Sequence, residues 1–122
     1  MNILKVFKSF PHAFRGIELV VRERNMQVHI IAVLVVTIAG VLLNISNYEW
    51  LIVLLCFGLV MCLEAVNTAI EDVCNKLRDD LGLSYGSTKN ARDISAGAVL
   101  ISAIMSVLVA GVVFLPKITS LF

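Results

Sequence analysis

The sequence predicts an all-α membrane protein: three transmembrane helices preceded by an amphipathic helix lying at the membrane interface. Composition is the first sign. Of 122 residues, 59% are hydrophobic and 16% charged, against roughly 45–50% and 25% in soluble domains. A soluble chain this short exposes too much surface to hide so much apolar material. The second sign is segregation, because the uncharged residues fall into long blocks. The third is the placement of Lys and Arg, which crowd before the first block and between the second and third. The same composition excludes a disordered chain, which needs low hydrophobicity. Cys56, Cys62 and Cys74 are odd in number and lie in apolar or helical pattern, which argues against a disulfide scaffold. The length allows one domain, residues 1–122, and there is no internal repeat or linker.

Residues 1–26 form the interfacial segment. Lys5, Lys8, Arg15, Arg22 and Arg24 interleave with Ile3, Leu4, Phe7, Phe10, Phe14 and Ile17. A basic amphipathic helix of this kind lies in the headgroup region. It lacks the long apolar core and small-residue cleavage site of a signal peptide. Pro11 is expected to divide it into two short helical pieces.

A bilayer core of roughly 30 Å takes about 20 helical residues. Asn25–Tyr48 carries no formal charge, which places the first span near 28–46. The second, near 49–75, is uncharged from Trp50 to Leu63 but reaches full length only by admitting Glu64 and Glu71. The third, near 92–115, is uncharged from Ile94 to Pro116, and Asp93 or Ser95 is expected to cap it. Lys76, Arg78, Lys89 and Arg92 lie between the second and third spans, whereas Asn44–Glu49 carries no base. The positive-inside rule therefore puts the N-terminus and the 76–92 connection in the cytoplasm. Tyr48, Trp50 and Phe114 suit interfacial positions. The net charge of +1 says little about partners, and no nucleic-acid partner is expected.

The chemistry sits on the second span. At about 100° per residue, Glu64, Asn67, Thr68, Glu71, Asn75 and Arg78 lie within about 60° of one line. A charge near the bilayer centre costs at least about 2.5 kcal/mol, so such residues normally face a bundle interior or a cavity. Hydrogen bonding between helices explains Asn67 and Thr68 well, but two carboxylates seven positions apart poorly. Carboxylates leading to the cytoplasm suit Mg²⁺, which binds together with substrate phosphates. A buried Glu64 suits a general base, and equally a proton relay. The stripe alone does not choose between enzyme and transporter.

The rest reads more plainly. Lys89 and Arg92 suit phosphate binding, although positive-inside anchoring explains them as well. No Walker A loop occurs. The small residues Ala96, Gly97, Ala98, Ser102, Ala103, Ser106 and Ala110 read as a packing face, and Ser95 is given no role beyond capping. His29 reads as a satisfied polar group at the interface. Arg22-Glu23-Arg24-Asn25 forms a polar cluster at the level of Glu71.

The octamer Glu64-Ala-Val-Asn67-Thr68-Ala-Ile-Glu71 resembles the signature of the prokaryotic diacylglycerol kinase family, Glu-x-x-Asn-Ser/Thr-Ala-Ile-Glu. Arg92-Asp93-Ile-Ser-Ala-Gly-Ala-Val-Leu after it, Arg22-Glu23-Arg24-Asn25 before the first span, and the three-span plan extend the likeness over essentially the whole chain. The resemblance implies a homotrimeric enzyme of the bacterial inner membrane with a cytoplasmic active site. Its reaction would transfer the γ-phosphoryl group of ATP, with Mg²⁺, to the hydroxyl of diacylglycerol. The texture of Arg24-Asn25…His29 is similar to the branch containing undecaprenol kinases, which makes undecaprenol the alternative acceptor. By the same resemblance Glu64 is the proton acceptor and Asn67 its active-site neighbour. Glu23 and Glu71 hold the metal. Arg92 and Asp93 lie near the nucleotide, as do Lys5 and His12, and Lys89, read above as a phosphate-binding cation, is placed with them at the ATP site. A proton-relay transporter is the distant alternative, disfavoured because Trp50–Leu63 offers no continuing path of ionisable groups.

Overall fold

In the computed structural model, which describes residues 1–122, the chain folds into four helices and no strands. They are α1 (Ile3–Val21), α2 (Arg24–Leu42), α3 (Asn47–Leu81) and α4 (Tyr85–Thr119). The last three are long and apolar enough to cross a membrane.

α1 is one helix, not two. Pro11 lies inside it. A proline removes a single backbone donor, and the turns on either side carry that loss. Asn2 caps the start by accepting from the Leu4 amide at 3.1 Å. α1 and α2 meet at a sharp corner, where Arg22 is helical and Glu23 extended (φ −71°, ψ 137°). The first span therefore begins at Arg24 and ends at Leu42, four residues earlier at each end than the sequence pattern suggests. Its end is set by Asn44, whose φ of 52° leaves the helical region. Val20 and Met26 are buried on either side of the corner.

Ser46 then opens α3 through a capping box with Glu49, which satisfies two otherwise unpaired amide donors. α3 and α4 have 35 residues each, about 52 Å at 1.5 Å per residue, well beyond a hydrocarbon core of about 30 Å. The expected 76–92 connection shrinks to Gly82-Leu83-Ser84. Nothing between Lys76 and Leu81 breaks a helix, so α3 continues past the span until Gly82 turns left-handed at φ 69°. There the Gly82 amide donates to the Arg78 carbonyl and the Leu83 amide to that of Leu77, a Schellman closure that favours glycine. Ser84, rather than Asp93 or Ser95, caps α4.

So short a connection makes α3 and α4 neighbours, and theirs is the main helix pairing. Val53, Val60, Glu64, Asn67 and Cys74 are buried on α3; Thr88, Ser95, Val99, Ser102 and Val113 are buried on α4. Both sets recur at three-, four- and seven-residue steps, with one step of eleven from Ser102 to Val113, the spacing of one helix face against another. At the end far from the 82–84 turn, Ile45, Val53, Val113 and Phe114 form an apolar core, with Trp50 packed against it. Gly40 makes room for that indole: a Cβ there would stand 2.7 Å from the ring. Lys117 pairs with Glu49 at the same end.

Candidate active site

The polar stripe of α3 divides among three neighbours. Glu64 turns toward α2, where its Oε2 lies 3.6 Å from Nε2 of His29. Asn67 and Asn75 turn toward α4. Ser95 Oγ donates to Asn67 Oδ1 at 2.7 Å, and Arg92 Nη2 donates to Asn75 Oδ1 at 3.0 Å. Thr68 and Glu71 face a groove beneath α1, which Asn75 also borders.

Burial follows this division. Glu64 and Asn67 are 3% and 2% exposed, and no buried side-chain polar atom lacks a partner. Asn67 spans two helices. Its Nδ2 donates to Glu71 Oε1 at 3.3 Å while its carbonyl accepts from Ser95. An ionised carboxylate only accepts, so Glu71 dictates that the amide's NH₂ end faces it. Ser95 then holds the carbonyl end in place.

The groove has a volume of 630 Å³ and lies between α1 and the α3 segment from Ala65 to Asn75. Gly16, Ile17 and Val20 form part of one wall; Thr68, Glu71 and Asp72 form part of the other. Glu23 closes the corner. It occupies the N-cap of α2 but makes no capping hydrogen bond, so its carboxylate is left to the groove. Glu23 and Glu71, separated by 48 positions in the chain, thus line one hollow, and Asp72 beside them is paired with Lys76. No group of three or more His, Cys, Asp or Glu side chains forms a ligand cage. A pair of carboxylates with open positions suits a hard cation that keeps waters and takes phosphate oxygens, as Mg²⁺ does.

The cationic candidates are less gathered. Arg92 is half-buried and held three ways: Nε donates to Thr88 Oγ1 at 3.2 Å, Nη2 to Asn75, and the guanidinium lies 5.0 Å from the Tyr85 ring centroid. Lys89 and Asp93 are exposed and paired with each other one turn apart. Neither lines the groove, nor do Lys5 and His12. At about 100° per residue, however, Lys5 and His12 share the side of α1 that carries Gly16, which does line it.

The family model for prokaryotic diacylglycerol kinase matches residues 11–114. The chain belongs to the prokaryotic diacylglycerol kinase family. It is accordingly a lipid kinase. Undecaprenol kinase of Bacillus subtilis is 41% identical over 114 residues, covering 93% of this chain and 90% of that protein. Diacylglycerol kinase of Synechocystis is 36% identical over 115 residues, covering 93% of this chain and 64% of that longer protein. Diacylglycerol kinase of Sinorhizobium is 25% identical over 99 residues, covering 81% and 70%. No solved structure matches.

Two participants in this lipid kinase's polar network escaped the sequence reading. Ser95 reads from the sequence only as a cap, yet it donates to Asn67. His29 passed as an interfacial polar group, yet it faces Glu64. The available signal was positional. Past Arg24 at its start, the first span has His29 as its one ionisable residue, and a polar group at membrane depth needs a polar partner.

Proposed function

We propose that the chain transfers the γ-phosphoryl group of Mg-ATP to a membrane lipid alcohol at the cytoplasmic face. Diacylglycerol is the acceptor, giving phosphatidic acid. The observation that carries the reading is a buried carboxylate, Glu64, at the deep end of a stripe that leads into a groove lined by Glu23 and Glu71. Phosphoryl transfer asks mainly for positioning and charge neutralisation. In this reading Glu23 and Glu71 hold the metal, which when bound neutralises charge on the phosphates. Asn67 orients Glu71. Glu64 takes the proton from the lipid hydroxyl. Arg92, Lys89 and Asp93 on α4, with Lys5 and His12 on α1, complete the nucleotide end.

The orientation rests on the Lys and Arg distribution, and α1 rests in the interface with Phe7, Phe10 and Phe14, all exposed, toward the lipid. Three helices do not enclose such a site by themselves, which supports a homotrimer with closed symmetry. A proton relay is disfavoured. Beyond His29 the cavity between α2, α3 and α4 is walled mainly by Val33, Val36, Val53, Phe57 and Val60, with no ionisable path onward.

Undecaprenol is the second reading, favoured by the 41% identity to a protein of that name. The test is transfer of labelled γ-phosphate in mixed micelles with both acceptors run in parallel. Labelled phosphatidic acid supports diacylglycerol, and labelled undecaprenyl phosphate transfers the assignment to the second reading. No label in either, from folded trimeric protein, overturns the kinase mechanism.

A further inference from the structure

We infer that His29 is a positioning residue for Glu64: its imidazole Nε2–H holds one carboxylate oxygen so that the other meets the lipid hydroxyl. The inference rests on the reading of Glu64 as the proton acceptor. His29 Nε2 lies 3.6 Å from Glu64 Oε2, with the two side chains 20% and 4% exposed. Neither has another ionisable partner. His29 lines a cavity of 190 Å³ whose walls are otherwise almost wholly apolar, including Ala32, Val60 and Met61. In such low-dielectric surroundings a polar contact is strong and an unpaired polar group is costly.

The stripe divides among its neighbours. Asn67 is held by Ser95, and Asn75 by Arg92, but Glu64 has no hydrogen-bonded partner on α4. Its nearest ionisable neighbour, His29, comes from α2. A shift of a few tenths of an ångström turns the 3.6 Å contact into a charge-assisted hydrogen bond, and catalytic contacts commonly tighten when substrate binds. Glu64 Oε1 is then left for the acceptor. A flexible glutamate is thereby reduced to one useful orientation.

The test compares His29→Leu with His29→Gln in the full-length trimer, using labelled transfer to the lipid acceptor. His29→Leu removes the donor and is expected to lower kcat about 10- to 100-fold, the scale of misplacing a reacting group by about 1 Å, with KM for Mg-ATP unchanged. His29→Gln restores an N–H donor and is expected to remain within about threefold of wild type. A kcat for His29→Leu within twofold of wild type overturns the inference, as does a His29→Gln variant as slow as His29→Leu. A second readout does not depend on these variants folding. The imidazole ¹⁵N resonances of His29, but not of His12, are expected to move on Glu64→Gln, and no movement overturns the contact. Glu64→Gln also separates the two levels. If it retains turnover, the proton-acceptor reading fails. If it is inactive while His29→Leu is normal, only the positioning role fails.

Discussion

From Asn47 to Leu63, α3 buries Val53 and Val60 and nothing polar; from Glu64 to Leu81 it buries Glu64, Asn67 and Cys74. Both stretches belong to one unbroken helix and pack against the same partner, α4. In the first, neighbours are held by fit, with Trp50 in the space left by Gly40 and Phe114 against Ile45 and Val53. In a membrane such contacts work through packing, since lipid is as apolar as valine. In the second, three polar side chains of the stripe have specific partners: Glu64 with His29, Asn67 with Ser95 and Glu71, Asn75 with Arg92. The difference teaches where substitution acts. Changes in the first stretch alter stability by volume. Changes in the second leave a polar group without its partner and are expected to act on the proposed function.

The sharpest break of that contrast is Glu64→Gln. It keeps the shape and removes the proposed proton acceptor, so transfer is expected to fall about 10²- to 10⁴-fold while Mg-ATP binding, followed by calorimetry, persists. Next comes Glu71→Ala, which is expected to raise KM for Mg-ATP and the magnesium concentration needed for half-maximal rate by at least about tenfold. Normal nucleotide binding by this variant sinks the metal assignment. Ser95→Ala leaves the buried Asn67 carbonyl without its donor, a loss of about 1–3 kcal/mol, read as earlier unfolding in a denaturing-detergent titration together with slower turnover. On the other side of the contrast, Gly40→Ala forces a methyl against Trp50 and is expected to destabilise by about 1–3 kcal/mol with kcat and KM unchanged. If Gly40→Ala impairs catalysis as much as Ser95→Ala, the two stretches are not separable. The smallest effect is expected from Lys117→Ala. Its partner Glu49 stands at a half-exposed end of the bundle, so both turnover and unfolding should stay within experimental error.

Much of the architecture was legible before any coordinates. Long uncharged blocks make spans, because a bilayer core admits few charges, and all three appear within a few residues of their expected centres. The helical repeat placed Glu64, Asn67, Glu71 and Asn75 on one side of α3, which is where the partners are. Helix ends were less legible. The rule for spans measures what a bilayer tolerates, whereas a helix stops where its backbone meets a breaker or cap. Hence α3 runs on to Gly82 and α4 starts after Ser84. Pro11 misled in the same way, since one missing donor does not end a helix that is otherwise intact.

What the sequence determined by itself is the set of local facts: how many helices are apolar enough to span, which face of the second is polar, and the signature Glu64–Glu71. Each follows from a residue's immediate neighbours or from a fixed helical period. Only the tertiary structure decided who faces whom. A period says which residues share a face but not which helix that face meets, because that depends on the rotation and pairing of whole helices. So the meeting of His29 with Glu64, of Ser95 with Asn67, and of Glu23 with Glu71 across one groove came from packing. The sharp corner at Arg22–Glu23 brings α1 over α3, and the three-residue turn at Gly82–Ser84 brings α4 alongside it. Those two connections turn a stripe on one helix into a site.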